Sequence, residues 1–343
     1  MIHPCLPRRA LLLGAGAALA APHVARAQML DLKVSLSAPF DGSTAPFFLG
    51  VQRGFYEQVG LRCQFDTSGG AVESIGRLGS GAYDFGVGDI NVLMDFIASN
   101  PAKAPSAIYM LYYRSPLSAI TFAKSGITKP ADLAGKTLGA AVTDGAYRLF
   151  PAFCKQTGLD PNSVKWKFVD LRLREALLLR GDVDAILGFD STIAFNLVKG
   201  GAKPADVKFV YYSDAGLPLY SNCLIAAKKM LDGNPDITKR FLAASGRAWQ
   251  AAMADPAAAI AALQKQESLI DVALENERLK WVIKNQLVSD ESRANGMGGV
   301  DGDRLAKSIA LIKDGFGLPV APPAGTVFNA SFLPDAEIRK VPV

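Results

Sequence analysis

The side chains most able to do chemistry in this sequence are carboxylates and arginines placed beside small-residue turns. Asp41, Asp89, Asp144, Asp190 and Asp214 all fall in loops or at helix starts, with Arg114 and Arg148 as cations available to an anion. Ser43-Thr44, Ser68-Gly69-Gly70, Gly88-Asp89, Thr143-Asp144-Gly145 and Asp190-Ser191 read as helix starts with small or acidic caps. Each such start offers backbone N–H groups without intrahelical partners and a partial positive charge. Phe47 and Phe189 follow strand ends and offer flat faces to a planar ring. Stacking there is worth about 0.5–1.5 kcal/mol beyond burial. This is the chemistry of recognition, not of bond making.

Bond-making constellations find little support. Both histidines, His3 and His23, lie in the first 27 residues, so a chain cleaved there has none for Ser-His-Asp or Cys-His catalysis or for zinc. Cys63, Cys154 and Cys223 are widely spaced and read as small buried apolar residues. Gly135-Lys136-Thr137 resembles the end of a phosphate loop, but Pro130 stands where that loop needs glycine, and a strand follows. Gly86-Val87-Gly88 has Asn91 where a dinucleotide loop needs its third glycine, so it reads as a tight strand-to-helix turn with Asp89 as the cap. Asp182 and Asp184 read as a solvated turn entering a strand. No catalysis, cofactor or metal is expected.

The 343 residues are 50% apolar and 20% charged, the balance of a chain that buries a core. Net charge is +5, but Arg8, Arg9 and Arg26 sit in a stretch without acids, and beyond residue 27 the balance is 34 basic to 32 acidic. A near-neutral chain carries no electrostatic footprint for nucleic acid. Pro7-Arg8-Arg9, the Ala/Leu/Gly run Ala10 to Ala21, and Ala25-Arg26-Ala27 form the layout of a signal peptide, residues 1–27, with cleavage before Gln28. The paired Arg8-Arg9 fits a twin-arginine signal, with an ordinary secretory one as the alternative. The run is shorter than the ~20 apolar residues a bilayer span needs. The mature protein is expected to be exported, periplasmic and monomeric.

Strand and helix alternate along the chain to position these groups. Strands are predicted near 31–37, 61–65, 83–87 and 107–113, with helices between them starting at the turns named above. The alternation restarts with strands at 137–142, 164–169, 183–187 and 207–212, and with helices at 145–156, 172–180 and 191–198. Strands at 117–123 and 221–226 stand apart. From Pro235 only helices are predicted. Such alternation means βαβ units around mostly parallel sheets. Two α/β units follow, one inserted in the other, with 28–116 plus 225–343 as the first lobe and 117–224 as the second. The two isolated strands are read as side-by-side crossings that form a hinge, with the ligand site in the cleft between lobes. The C-terminal helices are expected to pack on the first lobe.

Several stretches resemble a known family. They are Ala45-Pro46-Phe47-Phe48-Leu49-Gly50-Val51-Gln52-Arg53-Gly54-Phe55-Tyr56 with Gly60-Leu61, and Ser80-Gly81-Ala82-Tyr83-Asp84-Phe85-Gly86-Val87-Gly88-Asp89. Ile127 to Gly139, Val183 to Phe189 and Phe332-Leu333-Pro334 match as well. Across essentially the whole mature chain the sequence is similar to the periplasmic substrate-binding proteins of the nitrate/sulfonate/taurine and thiamine-pyrimidine-precursor class of ABC importers. The resemblance implies a bilobed, type II clamshell, a small-molecule ligand captured by closure, and delivery to an inner-membrane ABC permease. Some fungal relatives are instead suicide enzymes of pyrimidine synthesis; the sequence lacks their cysteine-rich motif and has no histidine beyond residue 27 to donate.

Two ligand chemistries follow. A sulfonate would be held by the helix starts at Gly69-Gly70 and Gly145 with Arg114 or Arg148. A planar nitrogen heterocycle would stack between Phe47 and Phe189 and give an amine hydrogen bond to Asp190. Five carboxylates near the cleft would repel a bare anion unless tied up as caps, so the heterocycle is preferred. The alternative role for Asp190 is a plain helix cap. A receptor-coupled solute sensor would share fold and site.

Overall fold

The computed structural model describes residues 29–142 and 144–342. The expected signal peptide and its cleavage before Gln28 lie outside the described residues, as does Thr143.

The first α/β unit runs β1 Leu30–Leu36, α1 Ala45–Gln52, β2 Leu61–Thr67, α2 Ala71–Gly79, β3 Phe85–Asp89, α3 Ile90–Ser99 and β4 Ser106–Met110. β1 pairs in parallel with β2 and β3, placing Val34 opposite both Phe65 and Phe85. The second unit runs β5 Leu117–Phe122, β6 Thr137–Ala140, α4 Gly145–Arg148, α5 Phe150–Thr157, β7 Lys165–Phe168, α6 Arg174–Arg180, β8 Ala185–Phe189, α7 Asp190–Lys199 and β9 Val207–Tyr211, and β10 Asn222–Ala226 follows. The helix expected over 145–156 is broken at Leu149, because Pro151 has no N–H with which to continue the ladder.

The two sheets have the same design. Their orders are β2-β1-β3-β10-β4 and β7-β6-β8-β5-β9. In each, one strand runs against the rest: β10 lies antiparallel between β3 and β4, and β5 antiparallel between β8 and β9. The isolated strands of the sequence are therefore not the crossings, which are the segments 111–116 and 212–221. The chain leaves β4 at the edge where the parallel strands end, enters the second sheet at its equivalent edge, and must run back away from it. β9 to β10 repeats this in reverse. The boundary expected between Leu224 and Ile225 accordingly falls inside a strand that belongs wholly to the first sheet.

The C-terminal half is helical: α8 Lys228–Gly233, α9 Pro235–Ala254, α10 Pro256–Gln266, α11 Val272–Val282 with a π-helical turn Ile283–Leu287, α12 Asp290–Asn295 and α13 Gly302–Phe316. α9 and α10 cover α1, and α13 lies against α3, as expected for packing on the first unit. α11 instead packs on α7, and α13 also touches α5, both in the second unit. The expected packing on the first lobe is thus joined by contacts with the second. The physical cause is polar: buried Arg278 on α11 donates to the Ser191 carbonyl at 2.9 Å. One buried apolar cluster runs from Val34 and Phe85 through Tyr112 to Leu149, Phe153 and Tyr212, so both sheets share it. A smaller one, including Ile120, Leu177, Ile186 and Ile193, fills the space between the second sheet and α6 and α7. No helix among the described residues is long and apolar enough to cross a membrane.

Candidate ligand-binding site

Most of the helix starts named in the sequence have already found partners within the chain. Asp89 caps α3 by accepting from the Asn91 N–H at 2.7 Å and from Val92, and its other oxygen takes the Ser221 hydroxyl at 2.6 Å. Burial raises its pKa against those hydrogen bonds. Asp144 caps Ala146 at 2.7 Å and accepts from Arg174 at 2.7 Å; burial again pushes its carboxyl up despite the guanidinium. The Gly69 N–H, expected to await an anion, is capped by Glu73 at 2.7 Å, which holds that exposed carboxylate below its usual range. Gly70, at φ 124°, makes the turn, and the Ser68 hydroxyl donates to the Leu36 carbonyl. Gly145 opens a helix of only four residues.

Both candidate arginines are committed. Arg114 pairs with exposed Asp214 at 2.7 Å and lies 4.6 Å from the Tyr211 ring centre. Arg148 pairs with Asp95 of α3 at 2.6 Å and covers the Phe316 ring, strapping the second unit to the first. This strap borders a cleft of about 380 Å³ between Val72, Ile75, Val92 and Phe96 on one side and Val142 on the other.

Asp190 sits at a junction that no local pattern announces. It is the first residue of α7, and its own N–H donates to the Pro116 carbonyl of the crossing. One carboxylate oxygen accepts from the Ser191 N–H and from Gln286 Nε2, and the other from the Tyr211 hydroxyl and Trp281 Nε1. Trp281 and Gln286 belong to the C-terminal helices, so this carboxylate ties them to the second unit. Desolvation outweighs the donors, and its pKa rises to about 6. A ring amine would have to displace one of these four donors to reach it. Phe47 is buried, edge-on to Trp249 at 5.7 Å and near Phe65 at 5.3 Å, whereas Phe189 is half-buried at the end of β8.

The loop after β1 supplies a different pocket. Asp41 accepts from the Ser43 N–H and hydroxyl at 2.9 and 2.6 Å, and Arg278 approaches it at 3.8 Å. Gly42 donates to Glu275 of α11. Ser37, Ala38, Ser43, Thr44 and Phe47 from this loop and α1 meet Tyr112, Asn222 and Trp249 around a cavity of about 20 Å³, room for one water-sized group. The buried Tyr112 hydroxyl, on the first crossing, faces Ser43, Asn222, Asp41 and Asp190, and burial raises its pKa. Asp41, Ser43 and Phe47 were legible as loop and helix-start residues. Tyr112, Asn222, Trp249, Tyr211, Trp281, Gln286 and Arg278 were not. Trp249 alone had a signal: Ser245, Trp249 and Ala252 share a buried face of α9. Among the described residues no group of three His, Cys, Asp or Glu side chains could hold a metal ion.

Residues 42–259 match the family described as NMT1/THI5 like. A curated relative from Aspergillus parasiticus, 4-amino-5-hydroxymethyl-2-methylpyrimidine phosphate synthase, is 24% identical over 225 residues, covering 63% of this chain and 64% of that protein. Among solved structures, the alkanesulfonate-binding protein SsuA from Xanthomonas axonopodis, bound to MOPS, superposes with a TM-score of 0.65 at 16% identity, over 88% of this chain and 99% of its own. The periplasmic aliphatic sulphonate binding protein SsuA from Escherichia coli gives 0.67 at 14% identity, over 85% and 95%. At these identities the structures share the fold: a bilobed α/β periplasmic-binding-protein architecture.

Proposed function

The chain belongs to the NMT1/THI5-like family, and from that premise we propose that it is an extracytoplasmic solute-binding protein that captures a small organic ligand between its α/β units and delivers it to an ABC importer permease. The observation that carries this reading is the convergence on one cavity of side chains from the first unit, Ser43 and Thr44, from the first crossing, Tyr112, and from the start of β10 where the second crossing ends, Asn222. A group bound there touches the first crossing and the residue that follows the second, next to the segments that bend when two lobes close. The sheets with their helices are the two lobes, and the segments 111–116 and 212–221 are the hinge. Export by the 1–27 leader, a periplasmic location and action as a monomer complete the proposal.

For the ligand we favour a planar nitrogen heterocycle of the pyrimidine-precursor kind over a sulfonate. Support comes from the commitment of Arg114 and Arg148 to acidic partners and from the capping of Gly69 by Glu73. Calorimetry and thermal shift with 4-amino-5-hydroxymethyl-2-methylpyrimidine and with taurine test it, since a ligand that binds only the folded chain raises its midpoint. A shift with the pyrimidine and none with taurine is expected; the reverse sinks the assignment. The synthase-named relative keeps one other reading in view, an enzyme of pyrimidine synthesis. Incubation of the protein with pyridoxal phosphate is expected to yield no pyrimidine, and formation of one would favour the enzyme.

A further inference from the structure

One buried polar group that the packing leaves unexplained among the described residues is the indole of Trp249. Its ring is 2% exposed, and its Nε1–H meets no acceptor among the described residues. A buried donor left unpaired costs about 1–3 kcal/mol, so its retention calls for a reason. The ring lies edge-on to Phe47 and lines the cavity with Ser43, Thr44, Tyr112 and Asn222. The neighbouring hydroxyls do not accept from it in this structure. The Ser43 hydroxyl is turned to Asp41, and that of Thr44 to the Pro39 and Asp41 carbonyls.

The charges around the cavity narrow what can meet this donor. Asp41 holds the Ser43 hydroxyl of the cavity lining at 2.6 Å, and the charges of Asp41 and Asp190 both act on Tyr112. Arg278, the cation that approaches Asp41, is engaged by Glu275 at 2.8 Å and by the Ser191 carbonyl. A fully anionic group would enter beside carboxylates while Arg278 and Arg114, among the described residues, are already paired with acids, and burying it unpaired is costly.

Resting on the solute-binding reading above, we infer that Trp249 is the specificity-determining donor of this site: its indole N–H takes an uncharged acceptor atom of the ligand, a ring nitrogen or a hydroxyl or carbonyl oxygen, and the cavity selects neutral ligands over oxoanions. The small volume admits the acceptor-bearing edge, and the rest of the ligand lies outward.

The sequence holds three tryptophans, so the indole N–H region of a proton–nitrogen correlation spectrum shows three signals. That of Trp249 is assigned by its loss in Trp249→Phe, which keeps an aromatic ring against Phe47. Titration with 4-amino-5-hydroxymethyl-2-methylpyrimidine is expected to move this signal downfield and slow its exchange with solvent. Trp249→Phe is expected to bind the same pyrimidine roughly tenfold more weakly, the size of one buried hydrogen bond. Its melting midpoint should stay within a few degrees of wild type. Calorimetric binding that leaves the Trp249 signal unmoved, or equal affinity in Trp249→Phe, overturns this inference alone. So does movement of the signal by taurine and not by the pyrimidine. Binding of neither probe overturns both the inference and the solute-binding reading.

Discussion

Replacing Asp190 by Asn should remove a pH dependence that the fold builds into the junction between its units. The carboxylate is 1% exposed, and its pKa stands at about 6 against an ordinary 3.8. A rise of about two units corresponds to about 3 kcal/mol of differential stability. The native chain therefore holds the Asp190 proton more tightly than the unfolded chain, and between pH 4 and 6 it binds more protons. Stability from this group is fully present near pH 4 and is lost as pH rises through 6. Asp190→Asn keeps the shape. Its oxygen can accept from Tyr211 and Trp281, and its amide can face Gln286, whose Oε1 has no partner among the described residues. The Ser191 N–H loses its acceptor, a cost of about 1 kcal/mol. Urea unfolding of both proteins at pH 7, 6 and 5 is the assay, with unchanged m-values required. Wild type should gain stability over the variant on acidification, by about 1–1.5 kcal/mol between pH 7 and 5. Taking the difference between the two proteins removes the contributions of Asp89 and Asp144, which shift in the same direction. Parallel pH profiles, or a wild type that loses ground on acidification, would refute the argument. Asp190→Ala, which strips an acceptor from four donors at once, should cost at least about 3 kcal/mol at pH 7.

Three further outcomes follow from the buried network. Arg174→Met leaves Asp144 and Glu175 without their buried guanidinium and should lower stability by about 3–5 kcal/mol, measurable as a fall in urea midpoint. Gly188→Ala forces a side chain onto a residue at φ 149° and into the Arg174 guanidinium and Ile193, so a loss above about 2 kcal/mol is expected, seen as a lower melting midpoint. Asp89→Ala removes the α3 cap and the Ser221 partner together, and chemical denaturation should register about 1–3 kcal/mol.

What the sequence determined by itself is local. Alternating Leu32, Val34 and Leu36 give β1 because a side-chain period of two buries one face of a strand. Asp89 and Asp144 cap their helices through N–H groups two or three residues on, so their place was readable without knowing the fold. The family likeness, carried by runs such as Ser80 to Asp89, extended that reading to the architecture. What tertiary structure alone decided is which of these groups remained free for a ligand. The four donors on Asp190 come from the next residue and from 21, 91 and 96 positions away. Arg148 finds Asp95 across 53 positions. Trp249 reads in sequence as one more apolar residue of an alanine-rich helix, and only the packing of α9 on α1 places its ring against the cavity that the loop after β1 lines. Capping and periodicity are settled within one turn or one strand, where a few covalent links fix the geometry. The pairing of a buried charge is settled by desolvation, which depends on everything packed around it and so on contacts that no local spacing encodes.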